Sequence, residues 1–239
     1  MGLRGALARR ACAFSLGTFV VAFSAPASAA GSFTVPAASG AQSVGNNDTG
    51  SIAAANTLSA ATTITWTGGS ASPGVIITND GTISATTRGI DTSGAFTTGS
   101  FTLNNDATGT LISSTNDGFR INTNITAGTI AVNNSGKLVS GALNGSGNIV
   151  AAASGQALDF AAIVSSTANI QITNAAGALL GASGDDAIRP GSGTIIITNS
   201  GLIDATQSAA RAINLNSAGT LASVISFTLS NNAGATVQS

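Results

Sequence analysis

Apolar and polar residues alternate in short runs along this chain, and these runs end in a recurring sequence phrase. The phrase is an apolar residue, any residue, Asn, a few loose residues, Gly and a second apolar residue. It occurs seven times, with its Asn at Asn47, Asn79, Asn105, Asn134, Asn174, Asn199 and Asn231, spaced by 25 to 40 residues. Such self-similarity predicts a repeat architecture in which each unit buries its apolar face against its neighbours.

The alternation also indicates the kind of repeat. The segments around Ile195 and Phe227 are rich in Thr, Ile and Val with a period of two, whereas Glu is absent and Lys occurs once. This pattern favours strands and lacks the residues from which surface helices are made. We therefore predict an all-β fold, a right-handed parallel β-helix (β-solenoid) of about six to seven coils. A Gly/Ser-rich insertion at Leu143–Val150 lengthens one interval.

The repeated Asn and Gly have a structural explanation. Asn tolerates the left-handed conformation of a sharp turn and can hydrogen-bond to nearby backbone. Asparagines stacked from coil to coil can also bond one another as a ladder. The Gly two to four residues later is expected to occupy a second strained turn position. The functional alternative for the Asn column is a polar binding stripe.

Opposite charges alternate in a second phrase, which is polar, small, apolar, polar. Its first column is Arg88, Asp117, Gln156, Asp186 and Arg211, and its fourth is Asp91, Arg120, Asp159, Arg189 and Asn214. No neighbouring pair in either column carries like charge. We therefore predict that these columns fix the register of adjacent coils, with Asp91–Arg120 and Asp159–Arg189 at ion-pair distance.

Residues 1–29 have the pattern of a secretory signal peptide, with early arginines, an apolar run at Ala11–Ala25 and an A-x-A site at Ala27–Ala29. Cys12, the only cysteine, lies inside this leader. We divide the chain into a signal peptide at 1–29, an N-terminal cap or linker at 30–45 and β-solenoid repeats at 46–239. No polar cap follows the last phrase, so we expect the solenoid to be truncated at Ser239.

Composition excludes several classes of function. After the leader, five basic residues stand against nine Asp, a net charge of −4 with no basic patch, so nucleic acid is a poor partner. The absence of His, Glu and Tyr, and of Cys after the leader, removes His- or Cys-based metal centres, cysteine nucleophiles and Ser–His pairs. Asp185 and Asp186 with Arg189 are the remaining catalytic candidates, but Asp186 and Arg189 already fit the charge columns. We assign no catalytic residue and no cofactor.

Asp48, Asp80 and Asp106 directly follow the Asn in the first three phrases. In coils stacked in register these carboxylates would lie about 5 Å apart. Carboxylates and turn carbonyls are the ligands that calcium prefers, so the sequence predicts a weak calcium site at these three residues. The structural alternative is a row of solvated turns, whose mutual repulsion is below about 1 kcal/mol in water. Trp66 is expected in the core or in a cap.

With the leader and both phrases in place, residues Asn47–Ser239 resemble the passenger region of Gram-negative autotransporters. The resemblance rests on phrases such as ITNSGLI at Ile197–Ile203. It implies an exported β-helix, extracellular or on the cell surface, that precedes a C-terminal outer-membrane barrel. No barrel sequence follows here, so the resemblance implies a fragment or a degenerate copy, tied to the outer membrane only through a barrel not present in this chain.

The sequence therefore predicts a secreted, surface-displayed structural or adhesive segment that is not an enzyme. Its partner would be an unidentified host-surface or matrix ligand, with glycans among the candidates. The alternative is a polysaccharide-acting β-helix enzyme domain, a lyase or hydrolase. Such an enzyme needs at least two carboxylates that converge in an exposed cleft.

Overall fold

The computed structural model describes residues 31–69, 72–151, 153–164, 166–216 and 224–239. Within these ranges the chain forms strands and turns without any helix, and its two large sheets are parallel throughout. The fold is a parallel β-helix, as the sequence predicts. The predicted signal peptide at 1–29 lies outside the described residues.

One face of the solenoid, which we call the first face, is an eight-stranded parallel sheet. Each of its strands belongs to a successive turn of the solenoid, or rung. The strands are β1 (Phe33–Val35), β3 (Thr49–Ile52), β5 (Val75–Asn79), β7 (Phe101–Asn105), β10 (Thr129–Asn134), β15 (Asn169–Asn174), β18 (Gly193–Asn199) and β20 (Val224–Asn231).

The other two faces share an eleven-stranded sheet, because β4 (Thr57–Trp66) and β6 (Thr82–Thr92) run from one face to the next. The second face continues with β8 (Thr110–Ser113), β11 (Lys137–Ser140), β16 (Leu179–Ala182), β19 (Leu202–Ala205) and β21 (Thr236–Gln238). The third face contains β2 (Gln42–Val44), β9 (Phe119–Arg120), β14 (Leu158–Asp159) and β17 (Ile188–Arg189).

The Gly/Ser-rich insertion forms an antiparallel hairpin of β12 (Ala142–Leu143) and β13 (Ile149–Ala151), separate from the parallel sheets. The rungs on either side of it stay in register, because β10 pairs with β15 over six consecutive residues. An insertion at a corner therefore leaves the stacking of the rungs unchanged.

The solenoid begins earlier than the sequence indicates. β1 and β2, inside the segment 30–45 expected to be a cap or linker, pair with β3 and β4 as a first rung. The prediction that Asn47 belongs to the Asn column is wrong, because register places Ile52 beside Asn79. Asn47 instead lies before β3, where its Oδ1 accepts a hydrogen bond of 3.2 Å from the Gly74 amide.

The other six asparagines form the predicted ladder. Each donates its side-chain amide to Oδ1 of the next, at 2.7 to 2.9 Å, along the series Asn79, Asn105, Asn134, Asn174, Asn199 and Asn231. The left-handed conformation expected for them is wrong, because none of the six has a positive φ. The expected hydrogen bonds to nearby backbone are present, since Asn134 donates to the carbonyl oxygen of Gly136 at 3.3 Å and Asn199 to that of Gly201 at 3.2 Å. They are the last residues of their strands, with side chains buried from Asn79 to Asn199.

The corners between the first and second faces alternate in length. Four residues separate β3 from β4, two separate β5 from β6, and the alternation of four and two continues to β20 and β21. A Cβ on Gly136, in a two-residue corner, would lie 2.0 Å from the carbonyl oxygen of Gly109 in the corner of the preceding rung. This Gly is required for close approach, whereas Gly177 in a four-residue corner has the expected positive φ of 79°.

Inward side chains of all three faces form one continuous core. A row of aromatic rings, Trp66, Phe101, Phe119 and Phe160, runs along it with successive centroids 5.0 to 5.1 Å apart. Trp66 is fully buried, which confirms its predicted place in the core. In the last rung, Ile225 and Leu229 are 62% and 38% exposed.

Candidate functional site

The structure does not bring the three predicted calcium ligands together. Asp48 lies at the corner before β3, where its Oδ2 accepts a hydrogen bond of 2.9 Å from the Gly45 amide. Asp80 and Asp106 lie at the other end of the first-face strands, directly after β5 and β7. The expected three-carboxylate column is therefore wrong for Asp48, because its phrase forms a different corner of the solenoid.

Asp80 and Asp106 do lie side by side. Burial, followed by the hydrogen bond and the charge of Asp80, raises the pKa of Asp106. Within the described ranges, no group of three or more Asp, Glu, His or Cys side chains is arranged to hold a metal ion. Calcium binding thus stays a prediction, with two adjacent carboxylates to support it.

The charge columns of the third face form an ion-paired cluster. Arg120 donates to both carboxylate oxygens of Asp91, at 2.9 and 2.8 Å, which confirms the predicted Asp91–Arg120 pair. Arg88 donates to Asp117 at 3.2 Å, and the side chain of Asp117 is only 4% exposed. The two pairs are cross-connected, since Arg88 also lies 3.7 Å from Asp91.

The second predicted pair is wrong. Arg189 is the register neighbour of Asp159, but it donates to Asp186 at 2.9 Å and to Asp185 at 2.7 Å within its own rung. The corner before β17 supplies two carboxylates close to this guanidinium, and they outcompete the carboxylate of the adjacent rung. Asp159 accepts a hydrogen bond from the Ala161 amide instead, at 3.2 Å.

Asp159 and Asp186 have opposite electrostatic environments. Burial, reinforced by the charge of Asp117, raises the pKa of Asp159. Burial acts in the same direction at Asp186, but hydrogen bonds from Asn214, Arg189 and the Arg211 amide outweigh it, so the pKa of Asp186 is lowered. Asp186 is therefore a structural anion, while the surroundings of Asp159 favour the protonated form of its carboxyl group.

Sequence reasoning missed a groove on the second face. It lies between the hairpin turn and strands β16, β19 and β21, with a volume of about 530 Å³. Leu179 and Leu202 line it together with Lys137, Asn148, Asp204 and Gln238. A signal for it was present, since Leu179 and Leu202 interrupt a column of outward-facing positions that is otherwise polar, at Thr57, Thr82, Thr110, Lys137 and Thr236.

Comparison of the chain with protein-family models, with curated proteins and with solved structures finds no match. Within the described ranges there is also no apolar helix of membrane-spanning length. The function is therefore proposed from the sequence patterns together with the arrangement of the side chains.

Proposed function

We propose that this chain is an exported, non-catalytic β-helix that serves as a surface-displayed stalk or adhesive segment of an autotransporter-like protein. The observation that carries the proposal is the unbroken Asn ladder, whose five side-chain hydrogen bonds join six successive rungs through the interior. A column of hydrogen-bonded side chains that joins successive rungs rigidifies a core, which suits a rod that must hold its shape outside the cell.

The state of the acidic residues supports a non-catalytic role. On the third face, Asp91, Asp117, Asp185 and Asp186 are all ion-paired with arginines. Carboxylates that act as general acid and base must face a substrate with their protonation states free to change. Carboxylates held in ion pairs with arginines are poorly suited to that task.

One observation favours the alternative, a polysaccharide-acting enzyme. Asp159 is a carboxyl group with a raised pKa, and perturbation of this kind is common among general acids. The two candidate functions differ in what they do to a bound glycan, since an adhesin retains it intact and an enzyme cleaves it.

The test measures retention and cleavage in one assay. The exported chain is applied to immobilised acidic and neutral polysaccharides, and both the bound protein and the newly formed sugar ends are quantified. We expect retention on at least one surface without any new sugar ends. Release of new ends that is abolished in Asp159→Asn would contradict the proposal and establish the enzyme instead, and retention on no surface would remove the adhesive role.

A further inference from the structure

The hairpin of β12 and β13 lies down on the second face. Val139 faces outward on β11, between inward-facing Leu138 and Ser140, yet it is completely buried. A Cβ added to Gly181 on β16 would lie 2.3 Å from Cδ1 of Ile149 in the hairpin. Ile149 therefore packs directly on the backbone of the sixth rung, and the hairpin forms one wall of the groove.

The floor of this groove is apolar. Leu179 and Leu202 are outward-facing neighbours in adjacent rungs, at positions where four other rungs carry Thr and one carries Lys137. Leu179 is only 7% exposed. Sites for small ligands combine such an apolar surface with a few polar groups that fix orientation.

A cation stands at the hairpin side of the groove. A Cβ added to Gly147 would lie 2.1 Å from Nζ of Lys137, so the absent side chain at Gly147 leaves the space that the lysine occupies. Lys137 is the only basic residue after the leader that lies outside the two charge columns. Among the described residues it forms no ion pair, whereas all four arginines of the third face do.

The carboxylate of Asp204 and the side-chain amide of Gln238 line the side of the groove opposite Lys137. Asp204 accepts a hydrogen bond of 3.2 Å from the side-chain amide of Gln238, which orients it at the groove edge. Lys137 and Leu202 are two rungs apart in register, and Asp204 follows two residues later on the same strand. The Cα atoms of Lys137 and Asp204 are therefore about 12 Å apart, from ordinary strand spacings, so their side chains can flank one small ring.

We propose that this groove binds an acidic sugar residue, a hexuronate unit of an anionic glycan. The ammonium of Lys137 pairs with the sugar carboxylate, Leu179 and Leu202 contact the C–H face of the ring, and Asp204 and Asn148 bond its hydroxyl groups. The proposal rests on the adhesive function proposed above and gives it a site and a ligand class.

The experiment titrates the exported chain with trigalacturonate, and with neutral maltotriose for comparison, while amide signals are followed by NMR. We expect shifts confined to the hairpin turn and to β11, β16, β19 and β21, with a dissociation constant of about 1 mM or below for the acidic trimer. Lys137→Gln should weaken binding about tenfold or more, and Lys137→Arg should retain it. Thr82→Gln, in the same outward column but two rungs before Lys137 and outside the lining of the groove, is the matched control and should bind like the parent chain.

Equal binding of the acidic and neutral trimers, unchanged binding in Lys137→Gln with its melting temperature preserved, or shifts scattered over other faces would each overturn the assignment. So would the absence of shifts at about 10 mM trimer. If the chain is still retained on immobilised surfaces in any of these cases, the adhesive function stands and only the groove assignment fails. If retention fails as well, both proposals fail.

Discussion

Asn134 donates its side-chain amide to Oδ1 of Asn174 at 2.8 Å, although 40 residues separate them in the chain. The hairpin of β12 and β13 lies within that interval, and the ladder passes by it without a break. The same amide also donates to the carbonyl oxygen of Leu179 at 3.0 Å, which ties the first face of one rung to the second face of the next. The buried Asn column thus fixes the register of adjacent rungs, whatever the length of the chain segment that connects them.

Asn134→Ala should lower the free energy of unfolding by about 2 kcal/mol, because it leaves the buried Oδ1 of Asn174 without its donor. Urea denaturation followed by circular dichroism measures this. The matched control is Asn133→Ala, which removes the exposed neighbour that bonds only to Asn104 on the outer surface. A loss in the control as large as that in Asn134→Ala would show that the buried ladder has no special role.

The ladder has an unsatisfied end. Oδ1 of Asn79 is buried and lacks a hydrogen-bond partner, because its register neighbour in the preceding rung is Ile52. Ile52→Asn places a donor at that position. Leu58→Asn is the comparison, because it buries an amide at an equally inaccessible position where no unpaired acceptor is present. Ile52→Asn should therefore destabilise the fold by about 1–2 kcal/mol less than Leu58→Asn. Equal losses in urea denaturation would contradict this extension of the ladder.

Asp186 and Asp159 on the third face should respond oppositely to pH. The pKa of Asp186 is lowered in the fold, so its contribution is complete above its ordinary pKa of about 4 and is lost as pH falls through the lowered value. Asp186→Asn should cost about 2 kcal/mol at pH 7 and progressively less in acid.

The contribution of Asp159 to stability depends on pH in the opposite direction to that of Asp186. Its pKa is raised, so its ionisation costs stability as pH rises through the raised value, and the cost is absent below about pH 4. Asp159→Asn should be as stable as the parent chain or more stable at pH 7. Thermal unfolding of both variants across pH 3 to 7 checks the pair, and parallel pH profiles would refute the assignment.

The remaining calcium prediction concerns Asp80 and Asp106. Because the pKa of Asp106 is raised by burial and by Asp80, a cation between the two carboxylates should lower it. We expect calcium at millimolar concentration to raise the melting temperature slightly, with the effect lost in Asp80→Asn and kept in Asp48→Asn. A shift that disappears equally in both variants would argue against the pair.

Sequence periodicity predicted the solenoid, the ladder and one ion pair because these features repeat from rung to rung. It misplaced Asn47 and Asp48, because the same sequence pattern occurs there at the corner before a first-face strand, whereas the other copies lie at the corner after one. It also missed the alternation of corner lengths, which becomes visible only when Asn79 and Asn105 are known to end their strands.

The groove could not be predicted for a different reason. Nothing in the sequence says that the hairpin containing Ile149 lies down on Gly181 instead of projecting into solvent. The contact depends on the absence of a side chain in one rung and on the length of an insertion in another. The choice of Asp185 over Asp159 as a partner of Arg189 is equally a matter of local corner geometry.

The ladder, the ion-paired cluster and the groove all depend on one register that continues past the hairpin. Ser51 and Thr198 occupy the same outward column of the first face, five rungs apart, according to the pairing of each successive strand. Because Cys12 is the only native cysteine and lies in the predicted leader, spin labels can be placed at Ser51→Cys and Thr198→Cys alone. Pulsed electron resonance should give one narrow distribution centred near the backbone spacing of about 24 Å. A broad distribution, or one centred far beyond this spacing, would contradict the stacked rungs and everything built on them.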